Sequence, residues 1–268
     1  MNLSKSQKQF WEENGYLILE GFYSDEKIKF LNDYLESCWD NRIAESSEIV
    51  IDIFIGTSEE QRIYLKDAPD LARNKPYKIN DLFLEDKKIR ELVLDDDMAK
   101  ILGTFLNGRP IICNTLNLEF GSQQDFHTDS LYMTPPRDLN LAAHWIALED
   151  TDPDAGPLRL YPGSHKIRPF LFSSGKMTAI HKEMKYYYDY MQKKVEEMGL
   201  KEERFMAKKG DVLIWHSQLF HGGSPINNDS LTRRSIVTHF FKEGDLGGEN
   251  PEVNAYGLYQ KRNKQPVT

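Results

Sequence analysis

The segment Phe126-His127-Thr128-Asp129 places an imidazole and a carboxylate two positions apart. On an extended strand, side chains two apart share a face. A ring nitrogen of His127 and a carboxylate oxygen of Asp129 can therefore converge on one metal ion. A histidine from a distant strand would complete a set of two histidines and one carboxylate. That set leaves coordination positions open and suits non-haem Fe(II) that activates O2, whereas structural zinc closes a tetrahedron. Alone the pair is weak evidence, because a strand histidine hydrogen-bonded near a turn gives the same spacing. The chain has seven histidines, and a downstream stretch supplies candidates for the third ligand. It runs Lys209-Gly210-Asp211-Val212-Leu213-Ile214-Trp215-His216, then Leu219-Phe220-His221-Gly222-Gly223-Ser224-Pro225-Ile226-Asn227. It continues through Arg233-Arg234-Ser235-Ile236-Val237-Thr238-His239-Phe240.

Read in order, several pieces form a series: H-x-D at 127–129, Trp145, Gly156-Pro157-Leu158, Pro162-Gly163-Ser164-His165 and Lys209-Gly210-Asp211. His221 with its Gly/Ser/Pro/Asn turn, and then Arg233, complete it. The series resembles the phytanoyl-CoA dioxygenase family of Fe(II)/2-oxoglutarate-dependent oxygenases, over most of the chain from Lys78 to Phe241. The resemblance implies a double-stranded β-helix, a cupin-like jelly roll whose mouth holds Fe(II) and 2-oxoglutarate and admits O2. It implies His127, Asp129 and His221 as iron ligands, with His216 competing for the distal place. The implied reaction hydroxylates an aliphatic C–H bond of a small-molecule substrate and releases succinate and CO2. Family halogenases carry a small residue where Asp129 stands, so the carboxylate argues for hydroxylation. Desaturation and ring closure use the same ligands.

In the family an arginine holds the distal carboxylate of 2-oxoglutarate, a role that suits its planar fork. Strand alternation puts Arg233, Ser235 and Val237 on one face and Arg234, Ile236 and Thr238 on the other. The family pattern favours Arg233, although it follows His221 at twelve positions, one more than usual. Ser224 then takes the place of a family serine near the co-substrate. Lys78 and Trp145 resemble further co-substrate contacts. Asn114 and Leu116, also co-substrate-contact candidates, share a strand face that looks into the barrel, where an unpartnered amide would be costly; Asn114 therefore needs a polar partner. Tyr132 and Arg137 lie just after the iron motif and are substrate-contact candidates. Two other readings stay open. One is a cupin-like isomerase or hydrolase with Zn or Mn, which needs no Arg233. The other is a jelly-roll binding module.

These side chains need a mainly β core with flanking helices. Residues 1–110 read as mostly helical, 111–242 as the jelly roll and 243–268 as a C-terminal tail, together one oxygenase domain over 1–268. Helix signals start at the capping box Ser4-Lys5-Ser6-Gln7, at Asp25, and over Asp86–Leu106; Glu183–Leu200 makes another. Expected strands are Tyr16–Leu19, Ile49–Ile55, Ile111–Phe120, Phe126–Asp129, Leu139–Leu148, Leu158–Tyr161, Arg204–Ala207, Val212–Trp215 and Arg233–Phe241. The polar tail from Lys261 is expected to fray.

The 268 residues carry 34 basic and 42 acidic side chains, a net charge of −8. That balance lacks the footprint of a nucleic-acid binder. No apolar run is long enough for a membrane span, and Met1 to Trp11 has no signal-peptide core. Two cysteines, Cys38 and Cys113, make no disulfide framework, and a cytoplasmic setting fits.

Overall fold

The computed structural model describes residues 2–43, 48–134, 141–245 and 251–267. Ser4 caps the first helix α1 (Lys5–Asn14): its hydroxyl accepts from the Gln7 amide at 3.1 Å, and the Gln7 side chain accepts from the Ser4 amide at 2.9 Å. Then follow β1 (Tyr16–Leu19), α2 (Asp25–Asp40), β2 (Val50–Ile53), β3 (Gln61–Tyr64) and β4 (Tyr77–Asn80). Three helices come next: α3 (Leu82–Glu85), α4 (Lys87–Val93) and α5 (Asp96–Leu106). The remainder is β5 (Pro110–Leu118), β6 (Leu141–Ala147), β7 (Leu158–Leu160), α6 (Met184–Glu197), β8 (Glu203–Phe205), β9 (Val212–His216), β10 (His221–Gly223), β11 (Ser235–Lys242), β12 (Pro251–Val253) and β13 (Leu258–Gln260).

Two sheets face each other. The large one runs β1-β9-β6-β11-β5-β4-β2-β3, with the β12–β13 pair attached through β13 to β5, and the small one runs β10-β7-β8. All strand pairs are antiparallel except β13 with β5. This is a jelly-roll core.

Register assigns the faces. Ile51, Ile79, Ile112, Ile146, Ile214, Ile236 and Phe240 point outward and pack in one cluster with Leu31, Trp39, Leu82, Val93, Met98 and Leu102 of the helices. Each such side chain contributes about 1.5–3 kcal/mol on burial. The alternate residues Ala143, Trp145, Ala147, Leu213, Trp215 and Val237 point inward against Leu160 and Phe205 of the small sheet. Leu118, Leu116 and Asn114 of β5 pair with Ser235, Val237 and His239 and extend that inner face. Lys78 and Asn80 of β4 extend it further.

Four expectations need correction. The first 110 residues are less helical than expected, because β3 and β4 are short strands that join the large sheet beside the expected strand β2. The inward Arg62 of β3 and Lys78 of β4 are charged and both pair with Asp52 of β2, which hides the pattern of these two strands. The expected helix over Asp86–Leu106 is two, because Leu94 leaves helical geometry and Asp95 caps a new start by accepting from the Met98 amide at 3.0 Å. Phe126–Asp129 is no strand: His127 forms a single bridge to His221, and Asp129 opens a 3-10 turn through Leu131. Finally, the region after 243 contains β12 and β13, and Arg262 beyond them is bonded to Asp81 at 2.7 Å.

The turn before β9 requires its glycine. Gly210 has φ of +89°, and a Cβ there would sit 2.4 Å from the Tyr23 carbonyl oxygen. Gly210→Ala is expected to cost about 1–3 kcal/mol, lowering Tm by roughly 2–12 °C for a chain of this size. An unchanged melting curve would show that this turn relaxes freely. Among the described residues, no helix is long and apolar enough to cross a membrane.

Candidate metal centre

His127 and His221 face each other across their backbone bridge. Each amide donates to the other's carbonyl, at 2.8 and 3.0 Å. Gly222 makes this approach possible, since a Cβ there would lie 2.8 Å from the Gln124 carbonyl oxygen. The His127 Nδ1 lies 2.8 Å from the Asp125 carbonyl oxygen, and the His221 Nδ1 lies 2.9 Å from the Leu219 carbonyl oxygen. A carbonyl only accepts, so both Nδ1 atoms donate. Both Nε2 lone pairs are then left for the space between the rings.

Asp129 fills one side of that space. Its Oδ1 lies 3.7 Å from the His127 Nε2 and 3.6 Å from the His221 Nε2. One ligand atom from each residue falls within 4.8 Å of the others, and all three residues are buried. The other oxygen, Oδ2, is turned away and accepts from the Trp215 indole N–H at 2.7 Å. Burial raises a carboxyl's pKa, but the imidazoles of His221, His239 and His127 outweigh it and hold Asp129 well below the usual carboxylate range. Burial, assisted by the neighbouring His221, pushes His127 down to about 4. At neutral pH the centre thus presents an anion and an unprotonated imidazole, the ligand forms that a divalent cation takes. His216 lies elsewhere: its Nδ1 accepts from the Gln218 amide at 3.0 Å, and its ring neighbours His165 and Trp11.

Arg233 enters from just before β11 and is buried, with 2% exposure. Its Nη1 donates to the Gly156 carbonyl at 2.8 Å, and its guanidinium lies 5.6 Å from the Trp145 ring. Among the described residues it has no carboxylate partner, and its Nε, the Ser224 hydroxyl, the Ser235 hydroxyl and the Trp145 indole N–H all lack hydrogen-bond partners. Burial alone lowers the Arg233 pKa to about 10, so it stays cationic at neutral pH. Arg234 points the other way, to Glu119 at 2.7 Å and Glu36 at 2.9 Å.

The remaining candidates are scattered around this centre. Leu116 is on the inner face beside Val237. Lys78 is on the same face but is paired with Asp52 at 3.1 Å. Asn114 has the polar partners that its burial requires: its Nδ2 donates to Asp81 at 3.0 Å, and its Oδ1 lies 3.1 Å from the His239 Nδ1. Tyr132 is 57% exposed, with its ring 5.6 Å from that of His127. Arg137 lies outside the described residues. Two residues that touch Asp129 escaped the sequence reading: Trp215 and His239, whose Nε2 is 3.5 Å from Oδ2. The signal was available for His239, which has the same strand parity as Arg233, Ser235 and Val237.

A family model described as Phytanoyl-CoA dioxygenase (PhyH) matches residues 11–235. The phytanoyl-CoA dioxygenase domain-containing protein 1 homolog of Dictyostelium discoideum is 26% identical over 281 aligned residues, covering 92% of this chain and 94% of that protein. Human peroxisomal phytanoyl-CoA dioxygenase is 25% identical over 277, covering 97% and 76%. Among solved structures, the α-ketoglutarate-dependent carbocyclase SnoK from nogalamycin biosynthesis superposes with a TM-score of 0.66 at 17% identity, covering 92% of this chain and 90% of that one. EctD from S. alaskensis, solved with 2-oxoglutarate and 5-hydroxyectoine, gives 0.63 at 16%, covering 91% and 77%. At these identities the two structures speak for the fold.

Proposed function

The chain belongs to the phytanoyl-CoA dioxygenase (PhyH) family of Fe(II)/2-oxoglutarate-dependent oxygenases, and from that premise we propose that it hydroxylates an aliphatic C–H bond of a small metabolite. The observation that carries this reading is the pairing of a buried His127–Asp129–His221 cluster with a buried arginine that lacks a carboxylate partner among the described residues.

The residues fit both groups. The Nε2 atoms of His127 and His221 and the Oδ1 of Asp129 would hold Fe(II). Arg233 would hold the distal carboxylate of 2-oxoglutarate, with the Ser224 hydroxyl beside it. An uncompensated buried guanidinium costs several kcal/mol, and a dicarboxylate co-substrate removes that cost. When bound, iron and 2-oxoglutarate supply the O2 chemistry that turns C–H into C–OH, with release of succinate and CO2. The chain's own part is to fix the ligands by their Nδ1–H and indole bonds, to neutralise the co-substrate, and to keep water from the inner face. Trp145, Leu116 and the inward aliphatics do the last. Asp129 supports hydroxylation because it fills a ligand position that halogenation would leave vacant. Tyr132, at the rim beside His127, is the described residue best placed to meet a substrate.

A reducing, cytoplasmic location is part of the proposal. Its support is that Cys38 and Cys113 are both buried and form no disulfide; a fluorescently tagged chain would test it.

Under anaerobic conditions, the Fe(II)-loaded protein is expected to gain a weak visible charge-transfer band only when 2-oxoglutarate is added, and to release succinate once air is admitted. Bound iron without a band would favour a metalloenzyme that does not use 2-oxoglutarate. No bound iron would favour a binding module.

A further inference from the structure

Beyond the indole that bonds Asp129, a second side chain stands behind the carboxylate. His239 stands 3.5 Å from Oδ2 and is itself oriented by Asn114, whose Oδ1 is 3.1 Å from the His239 Nδ1. The Asn114 amide cannot flip, because its Nδ2 donates to the Asp81 Oδ1 at 3.0 Å. Asp81 is a non-glycine residue with φ of +59°, a conformation that persists only where the surroundings impose it. Its carboxylate accepts from the Thr115 amide at 3.4 Å, from the Arg262 Nη2 at 2.7 Å and from the Gln265 Nε2 at 3.3 Å.

The last two residues belong to the C-terminal segment, which the parallel pairing of β13 with β5 guides along this edge. Here β5 carries a bulge. Its register with β11 slips between His239 and Phe240, leaving Cys113 as the extra residue. Bulges re-aim neighbouring side chains beside functional sites, and this one precedes Asn114. Arg262 occupies the bulge: its Nε and Nη2 donate to the Cys113 carbonyl at 3.3 and 3.2 Å. One guanidinium thus secures both the bulge that aims Asn114 and the carboxylate that fixes its amide.

We propose that the chain of side chains Arg262–Asp81–Asn114–His239–Asp129, buried except at Arg262, makes the C-terminal segment a clasp that sets the affinity of the metal centre. The proposal rests on the reading of His127, Asp129 and His221 as the iron site. His239, Asn114 and Asp81 act as positioning residues through Asp129. A segment that merely stabilised the fold would alter the melting temperature and leave coordination unchanged.

Co(II) titration of the full-length protein, followed by its visible absorption, separates the two roles. Asn114→Leu is expected to raise the Co(II) Kd about 10–100-fold, the usual effect of losing an outer-shell partner. Arg262→Ala is expected to raise it about 10-fold and to shift the absorption spectrum of the loaded protein. Lys261→Ala, whose partner is Glu252, should titrate like the parent. Should Asn114→Leu fail to fold, Arg262→Ala decides, since that side chain reaches the surface. If both folded variants bind Co(II) like the parent while Asp129→Ala does not bind it, the clasp is wrong and the iron reading stands. If Asp129→Ala binds Co(II) undiminished, the iron reading fails and the clasp with it.

Discussion

Asp129→Ala is expected to lower Fe(II)-dependent succinate release by more than about 100-fold, the upper range for losing a mere outer-shell partner. The expectation follows from how the two oxygens of this carboxylate are divided. Oδ1 faces the Nε2 atoms of both His127 and His221, whereas Oδ2 is engaged by the Trp215 indole. Because the surrounding imidazoles hold the carboxyl well below its ordinary range, Asp129 is ionised across the working pH range and needs no deprotonation to bind a cation. Alanine removes the only anion of the cluster and leaves two imidazoles, a much weaker site for a hard dication. The cost to the fold is smaller. The Trp215 N–H loses its buried acceptor, worth about 1–3 kcal/mol, and the desolvation of a buried carboxylate is relieved at the same time. Circular dichroism should therefore show a folded protein that no longer turns over 2-oxoglutarate. Wild-type succinate release from this variant would remove Asp129 from the metal centre.

The residues of this centre were legible where chemistry is written into residue type and short spacing. Spacing alone suggested the 127–129 pair, whereas the choice of His221 over His216 and of Arg233 over Arg234 came from the resemblance to the phytanoyl-CoA dioxygenase family. The local geometry behind the pair was not legible. Side chains two apart on a strand was the argument for His127 and Asp129, yet the structure makes one bridge at His127 and a 3-10 turn at Asp129. The two side chains converge because His221 pins one backbone end and Trp215 pins the other carboxylate oxygen. Both of those contacts are long-range, and spacing cannot report them.

The same limit explains β3 and β4. Asp52, Arg62 and Lys78 come from three strands, and each looks like a surface residue until the sheet brings them together. It also explains the tail, whose polar composition suggests fraying. Arg262 meets Asp81 only after β13 has paired with β5. By contrast, the alternation that separates Arg233 from Arg234 is local, and the two side chains do lie on opposite faces.

That separation gives the second large effect. Arg233→Ala is expected to raise the KM for 2-oxoglutarate at least about 30-fold, since truncating one partner of a buried charge pair costs about 2–5 kcal/mol. Arg233→Lys should recover little of this, because an ammonium lacks the fork that meets a carboxylate with two bonds. Arg234→Ala should leave that KM within about 3-fold and act on stability instead. Its guanidinium is bonded to Glu119 and Glu36 on the outer face, and burial already raises the Glu119 pKa. Removing the cation leaves a half-buried carboxylate with less compensation, a loss of about 1 kcal/mol. The two neighbours thus predict opposite signatures: one a co-substrate defect in a stable protein, the other a softer protein with normal co-substrate affinity. Steady-state kinetics over a 2-oxoglutarate series, alongside melting curves, reads both. The reverse ranking of KM would mean that the co-substrate is anchored outside the barrel face that Arg233, Ser235 and Val237 share, and the place assigned to 2-oxoglutarate would have to be abandoned.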